Sequence, residues 1–499
     1  MALEILCVCV AILLLLYYYA TADFDYWKSR GVKGPKPIPW FGTIASHLLS
    51  KICMGSYLRK IYEEYPDEAM VGVFFRGQPK LVIRDPELIK HVLIKDFTAF
   101  PERDVRVHEK AEPLSVHLFR IDGARWRPLR TRLSPVFTSG KLKDMFHLLL
   151  ECGEHLERHL HEIVPKDDII ECRELTSKYT IDVIGSCAFG IEMNALNQKE
   201  SDFQKLGVRI FKVTPKTLIR NLFRDVTPWL YDQFGNILDD REVTNIMTTM
   251  VMNTINYRKQ NNVHRQDIID MLKDFKDHPD RLDLDQVPDT YVAAQLFVFF
   301  AAGYETSSTT MSNVMYELAQ NLVVQEKVRN NIKEVLDNND GVISYNSVNE
   351  MTYLEQVIKE TLRKYPPVMF LTRNTQQNYT FEGTKVNIDK DVKVYIPIFG
   401  IHYDPNIYPN PDVFDPERFN DENMRKRNPM HYLPFGTGPR NCIGMRFAGY
   451  QTKVGLIKVL LNFEINVCEK TQIPHIISRN HPLMFQTEHG IYVKLTKLF

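Results

Sequence analysis

Phe435-Gly436-Thr437-Gly438-Pro439-Arg440-Asn441-Cys442-Ile443-Gly444 is the stretch on which the reading of this chain turns. Gly436 and Gly438 let the backbone turn tightly, so that amide groups can point at the sulfur of Cys442. The run Ile443 to Leu461 has a helical pattern, and a helix N-terminus favours a thiolate over a thiol. Gly444 has no side chain, so a flat ring system can lie close to the backbone there. A thiolate presented this way suits a metal ligand better than a buried structural cysteine. The other seven cysteines, at 7, 9, 53, 152, 172, 187 and 468, show no paired spacing in the body of the chain. That excludes a disulfide framework and a tetrahedral zinc set, suits a reducing compartment, and leaves Cys442 to act alone.

Upstream, the 499 residues carry 62 Lys+Arg and 62 Asp+Glu, so no global basic excess marks a nucleic-acid partner. Hydrophobic residues make up 44% and aromatics 11%, which supplies a large core and excludes disorder as the dominant state. From Ile5 to Ala20 the sequence is uncharged and nearly long enough to cross a hydrocarbon layer of about 30 Å. Tyr17 to Tyr19 and Trp27 occupy the place of an interfacial aromatic belt. Lys28, Arg30, Lys33 and Lys36 follow, which keeps the rest of the chain on the cytoplasmic side. Ala20-Thr21-Ala22 resembles a signal-peptidase site, but the preceding Met-Ala-Leu-Glu has no basic residue, so an uncleaved anchor over 1–22 is expected. The prolines of Gly34-Pro35-Lys36-Pro37-Ile38-Pro39 make 23–40 a stiff, basic hinge before a body spanning 41–499.

Within the body, strand-like runs come early (Val71 to Phe75, Lys80 to Ile83) and late (Val392 to Ile396, Ile491 to Leu495), with helical patterns such as Lys141 to Ile163 and Ser177 to Phe189 between. Few strands from distant parts of one helix-rich chain predict a single mainly α, α+β domain. A helix from about Asp289 to Asn321 would run through its centre. That helix carries Ala301-Ala302-Gly303-Tyr304-Glu305-Thr306-Ser307 at its middle. Polar groups in an apolar helix need partners. Taken alone they read as a kink, with Gly303 weakening the ladder and Thr306 bonding back to a carbonyl.

With Cys442 placed, Phe435 to Gly444 matches F-x-x-G-x-R-x-C-x-G and resembles the haem-binding loop of the cytochrome P-450 haem-thiolate family. The resemblance runs over essentially the whole chain and implies the cytochrome P-450 fold around a buried haem b (iron protoporphyrin IX), with Cys442 as iron ligand. Phe435 would bind that haem, and Arg440, two before the ligand, is a candidate cation for its carboxylates. Glu360-Thr361-Leu362-Arg363 matches the family's E-x-x-R, and Arg418 of Pro416-Glu417-Arg418-Phe419 would complete a structural Glu–Arg–Arg triad. Ala302 to Ser307 looks like the oxygen-binding motif, which turns Glu305 and Thr306 into an acid–alcohol pair for proton delivery. Trp126 and Arg130 match W-x-x-x-R and would reach a haem propionate, as would Arg373, with Arg103 or Arg106 less tightly placed.

By the same resemblance Phe119, Val298, Ala301, Val368, Met369, Phe370, Leu371 and Phe485, with Met484, line an apolar pocket for lipophilic substrates. The chain looks most like microsomal arthropod members that metabolise xenobiotics in the endoplasmic reticulum membrane. It has no flavin or nicotinamide fingerprint, so electrons would come from an NADPH-haemoprotein reductase, with cytochrome b5 and membrane lipid as further partners and no nucleic acid. Arg125, Arg127, Arg132, Arg425 to Arg427 and Lys453 would form the basic face that meets it. An endogenous hormone or lipid hydroxylase, a reductase-independent haem-thiolate isomerase and a haem-based gas sensor are the alternatives. The intact Glu305-Thr306 pair counts against the isomerase.

Overall fold

The computed structural model describes residues 1–49, 51–103, 106–197, 202–212, 214–265, 267–479 and 484–498. Helix α1 (Ala2–Thr21) has apolar side chains standing exposed along it, and it is long and apolar enough to cross a membrane. The segment after α1 is no free hinge, because three of its residues are tied to the body. Trp27 is buried, its ring lies against the space over Gly72, and its indole N–H donates to Val73 O at 3.0 Å. Arg30 pairs with Asp389 at 2.9 Å and stacks on Tyr26, and Lys33 pairs with Glu68. The expectation of an interfacial Trp27 is therefore corrected: burying the indole with its N–H satisfied uses it as a peg that fixes the chain to the sheet.

Strands β1 (Met70–Phe75) and β2 (Gln78–Ile83) form a hairpin, followed by α2 (Gly123–Leu133), α3 (Phe146–Ile163), β3 (Ile169–Glu171), α4 (Cys172–Ile184) and α5 (Arg241–Gln260). The central helix α6 (Asp289–Gln320) precedes α7 (Thr352–Lys364) and the strands β4 (Leu371–Asn374), β5 (Tyr379–Thr380), β6 (Asn387–Ile388) and β7 (Lys393–Ile396). Helix α8 (Met445–Asn462), β8 (Phe463–Asn466) and β9 (Tyr492–Lys497) close the chain. One sheet has the order β1-β2-β7-β4, with β2 and β7 parallel and the other pairs antiparallel. A second has the order β3-β9-β8. One sheet joins residues 70–83 to 371–396 and the other joins 169–171 to 463–497, which ties early and late parts of the sequence into one body.

Helix α6 packs most extensively on α4, then on α5 and α8. Its second half buries hydroxyls and an amide without stranding most of them, because each bonds back one turn. Thr309 Oγ1 donates to Glu305 O at 2.8 Å, Ser312 Oγ to Ser308 O at 2.7 Å, and Asn313 Nδ2 to Thr309 O at 2.8 Å. Back-bonding satisfies the donors where an apolar core would otherwise penalise them. The helix expected at Ser177 to Phe189 ends at Ile184 and passes into a wider turn over Gly185–Phe189.

Candidate active site

The loop before α8 is shaped by backbone that only glycine tolerates. Gly436 and Gly438 have φ of 64° and 75°, and a Cβ on Gly438 would sit 2.0 Å from Leu93 O. Cys442 N donates to Phe435 O at 2.9 Å, which closes the loop behind the half-buried Phe435. Arg130 on α2 grips the residue before the thiol, donating from Nη1 to Asn441 O at 3.0 Å and from Nη2 to Asn441 Oδ1 at 2.9 Å. Arg130, expected at a haem propionate, thus also clamps the cysteine loop. Helix α8 begins at Met445, after the Gly444 cap, so Cys442 precedes the helix rather than opening it.

Cys442 lies deep in the fold yet is exposed, because a cavity opens onto its sulfur. The cavity runs from Cys442 and Gly444 to Ala302, Gly303 and Thr306 of α6, with Phe137, Cys187 and Phe299 on its walls. Ala302 is exposed although it sits mid-helix in the interior. A Cβ on Gly444 would meet nothing nearer than 3.9 Å, so the floor is open for a flat group. Burial pushes the Cys442 thiol up, opposed by the Gly444 amide and by the charges of Arg130 and Arg103. These are the groups that would favour the thiolate once a metal ion competes with the proton.

At the rim of the loop, arginines gather whose hydrogen bonds, among the described residues, go to backbone carbonyls and to no carboxylate. Arg373 and Arg440 are buried, and Arg373 Nε with Arg440 Nε and Nη1 have no hydrogen-bond partner among the described residues. Burial, with Arg440 beside it, pushes Arg373 down to about 9, and burial takes Arg440 to about 10. Arg103 is lowered by burial and then by Arg373 and Arg440, and its Nη2 donates to Arg440 O at 2.8 Å. Arg440 stacks over the Trp126 ring at 4.5 Å. Buried cations that repel one another and hold free N–H groups fit a ligand bearing carboxylates. The propionates of a haem held by Cys442 would be such groups, and the residues fit that cofactor. Arg103, only loosely placed by its spacing, is part of this cluster, while Arg106 is exposed.

The distal residues divide. Thr306 is half-buried, lines the cavity and donates to Ala302 O at 2.7 Å, so the back-bond of a kink residue and a place at the cavity coexist. Glu305 is buried away from the cavity wall and accepts on Oε1 from Arg173 Nη2 at 2.6 Å and from Gln486 Nε2 at 2.8 Å. Burial pulls the Arg173 guanidinium down, but the charge and hydrogen bond of Glu305 outweigh it and raise the group overall. Consecutive helical positions diverge by ~100°, so an adjacent acid and alcohol do not face each other. A Cβ on Gly303 would lie 2.2 Å from Ile184 Cδ1, so this glycine admits α4 as well as lining the cavity.

Glu360 and Arg363 on α7 are fully buried and doubly bonded, Nε to Oε2 at 2.7 Å and Nη2 to Oε1 at 2.8 Å. Arg418 Nε approaches Glu360 Oε1 at 3.5 Å without a hydrogen bond, and its Nη2 donates to Pro409 O at 2.7 Å. His402, which sequence reasoning missed, joins the triad to the cysteine loop. Its Nδ1 lies 3.2 Å from Arg363 O, and its Nε2 accepts from Leu433 N at 3.1 Å.

Of the expected pocket, Val298, Ala301, Val368 and Leu371 are half-buried and Phe119 is exposed. Val368 bridges to Met484, which brings two distant segments of the chain together. Met369 packs over Gly55, Phe370 against Tyr395, and Phe485 between Tyr365 and Phe399. All three are buried in the core. The basic face is narrower than expected. Lys453 is buried and paired with Glu355 at 2.8 Å, Arg125 pairs with Asp122 and Glu109, and Arg427 stacks on Tyr408 and Phe419. Arg127, Arg132 and Arg425 stand exposed.

Similar proteins agree with this geometry. A family model described as cytochrome P450 matches residues 32–495. The chain is 37% identical over 479 residues to cytochrome P-450 6j1 of Blattella germanica, covering 96% of this chain and 94% of that protein. It is 39% identical to cytochrome P-450 6A1 of Musca domestica, with 95% and 94% covered, and 37% to cytochrome P-450 6B1 of Papilio polyxenes, with 96% of each. The chain therefore belongs to the cytochrome P-450 family: it is a haem b monooxygenase that oxidises lipophilic substrates with O₂ and with electrons passed from NADPH by a reductase.

Proposed function

We propose that this enzyme oxidises lipophilic foreign compounds on the cytosolic face of the endoplasmic reticulum, anchored through residues 1–22 and fixed by 23–40 to a catalytic body of 41–499. Membrane lipid would surround the anchor, and cytochrome b5 would serve as a second electron donor. The observation that carries the reading is the pairing of an accessible Cys442 sulfur with a cluster of arginines on one side of the same loop, of which Arg373 and Arg440 are buried with N–H groups that find no hydrogen-bond partner among the described residues. Cys442 would hold the iron. Arg373, Arg440 and Arg103 would take the propionates, with Trp126 stacked beneath Arg440 and Arg130 steadying Asn441.

Thiolate-held haem supplies the binding and reductive cleavage of dioxygen. The chain supplies position and protons. Ala302 leaves the ring space against α6, and Phe299 and Phe137 keep the cavity wall apolar, which favours lipophilic substrates and excludes water. The Thr306 hydroxyl, with its hydrogen committed to Ala302 O, keeps its oxygen free to accept from water and so to order it at the cavity. Glu305 is the buried carboxylate one position away that would relay a proton taken up from water. Exposed Arg127, Arg132 and Arg425 would meet an acidic reductase.

The test is reconstitution in lipid with reductase. Substrate-dependent product formation that requires both NADPH and reductase is the expected result. Turnover of organic peroxides without reductase would favour a haem-thiolate isomerase, and tight haem binding without either reaction would favour a gas sensor. A panel of foreign and endogenous lipophiles, scored by the haem spectral shift on binding, separates detoxification from hormone or lipid hydroxylation.

A further inference from the structure

The loop between β2 and α2 touches α6 on one side and carries unspent charge on the other. On the α6 side, Gln295 Oε1 accepts from Leu118 N at 3.0 Å, and Gln295 Nε2 donates to Val116 O at 2.7 Å. Gln295 stands two turns before Ala302, which is roughly 10 Å along the axis at the usual helical rise. Ala302 and Phe299 line the cavity at Cys442. The His117 ring lies 6.1 Å from that of Phe297, and the Arg103 guanidinium covers the Phe119 ring at 4.3 Å. The loop therefore offers aromatic surface between α6 and its own far side.

On that far side Arg120, next to Phe119, donates from Nη1 to Glu112 Oε2 at 3.0 Å. Tyr231 OH donates to Glu112 Oε1 at 2.5 Å. The helix Pro215–Val226 adds two more cations. Arg220 Nε and Arg224 Nη1 stop 3.8 and 3.7 Å from Glu112 Oε1, beyond hydrogen-bond reach. Arg224 Nη2 donates to Asn221 Oδ1 at 3.1 Å, while Arg220 Nε is buried with no hydrogen-bond partner among the described residues. Burial alone would raise the Glu112 carboxyl, but Arg120, the Tyr231 hydrogen bond, Arg224 and Arg220 outweigh it and bring it to about 2. Asp239 is a second carboxylate near Arg220, whereas Asp225 and Asp232 are engaged by Arg76 and His108. Three guanidiniums against two carboxylates leave positive charge and free N–H groups at half-buried positions. An added anion is attracted more strongly there than in open water.

This cluster stands apart from the cavity at Cys442. A ligand that serves both must carry its charge at one end and an apolar chain at the other. We propose that Arg120, Arg220 and Arg224 form an anion site for the carboxylate of an amphipathic acid whose apolar chain passes Phe119 and reaches the cavity at Cys442. Guanidinium forks match a carboxylate in shape as well as in charge. Glu112 holds the three side chains together, and the incoming carboxylate takes the N–H groups that Glu112 leaves unused. The inference rests on the proposed function and deepens it by naming a substrate class, lipophilic acids held by the head so that oxidation falls on a fixed part of the tail.

The test uses the full-length holoenzyme in neutral-lipid nanodiscs with reductase, and two probes of equal length, dodecanoate and uncharged dodecanamide. Binding is read from the haem spectral shift, and the positions of oxidation from the products. The ratio of variant to wild type for each probe cancels its partition into lipid. Arg220→Gln should weaken dodecanoate roughly tenfold or more, as loss of a charge-assisted hydrogen bond does, and scatter its oxidation along the chain. Dodecanamide should change by less than about twofold. Arg220→Lys should keep part of the preference, and Arg224→Gln should act in the same direction as Arg220→Gln. In the wild type, raising the salt should weaken dodecanoate relative to dodecanamide, a measurement that needs no variant to fold. Equal effects on the two probes, whether loss or retention, overturn the anion site. Inorganic phosphate at matched ionic strength should not displace dodecanoate; displacement in the wild type that disappears in Arg220→Gln would assign the cluster to a free anion and also overturn the proposal. If the wild type oxidises foreign lipophiles but neither binds nor oxidises dodecanoate, the inference fails and the proposed function stands. If it oxidises no foreign lipophile, the proposed function fails instead.

Discussion

The cysteine loop and the middle of α6 face each other across one cavity, yet they hold their functional groups by opposite means. In the loop, backbone does the holding. Two glycines take left-handed φ, Cys442 N closes onto Phe435 O, and Arg130 clamps Asn441, so the sulfur has one place to be. In α6 the backbone is regular from Asp289 to Gln320, and each side chain takes the direction its partners give it. Thr306 turns to the cavity and Glu305 turns to Arg173. A motif written into loop conformation fixes geometry; a motif written as neighbours on a helix fixes only which residue types are present.

The sharpest way to break the comparison is at the sulfur. Cys442→His should fold and retain haem but lose the red-shifted Soret band of the reduced carbon monoxide complex, together with all reductase-supported oxidation. A variant that kept the band would place the ligand elsewhere and remove the loop's special status.

Next in size is Thr306→Ala, which deletes the hydroxyl that lines the cavity and leaves the thiolate untouched. Product per NADPH should fall and hydrogen peroxide should rise, with haem content and the carbon monoxide spectrum unchanged. A positioned proton-transfer group is worth ~10²–10⁴ in rate, which bounds the loss. If Thr306 serves only its back-bond to Ala302 O, the thermal midpoint moves and the product ratio does not.

These two outcomes also bear on how far the sequence was legible. The loop, the triad pair Glu360–Arg363 and the span of α6 are readable because each is local: glycine at positive φ, i to i+3 spacing, and an apolar run of one period. Arg103 and His402 are less readable, since Arg103 reaches Arg440 across 337 positions and His402 reaches Arg363 across 39. The direction of Glu305 was not legible at all, because Arg173 and Gln486 lie 132 and 181 positions away. Met369, Phe370 and Phe485 show the same limit: an apolar residue beside a pocket segment is as well suited to the core, and packing decides.

Support beneath the loop gives a smaller test. Glu360→Ala leaves Arg363 buried without its carboxylate, and removing one partner of a buried ion pair costs about 3–5 kcal/mol. Arg418→Ala should cost markedly less, because Arg418 approaches Glu360 without a hydrogen bond and is held by Pro409 O. Thermal midpoints of the two holoenzymes check the order. Equal losses would make the triad a true three-body unit.

The smallest effect is read from pH. Burial, with Arg363 beside it, pushes His402 from 6.5 down to about 3, so the folded protein keeps this ring neutral where the unfolded chain protonates it. Only the neutral ring can accept from Leu433 N through Nε2 while its Nδ1 faces Arg363 O. Between pH 6.5 and about 3 the unfolded state binds the extra proton, so His402 makes stability rise with pH and fall on acidification. One such proton contributes a slope of about 1.4 kcal/mol per pH unit at most. His475, also pushed down to about 3 by burial, adds a parallel slope, so the wild type alone does not isolate His402. His402→Gln does: its amide can accept from Leu433 and donate to Arg363 without titrating. The variant should lose less thermal midpoint than wild type between pH 6.5 and 4.5, with the carbon monoxide spectrum intact at the upper end. Parallel pH curves for the two proteins would mean that His402 titrates in the folded state as freely as in water, and that the link from Arg363 to the cysteine loop does not depend on its charge.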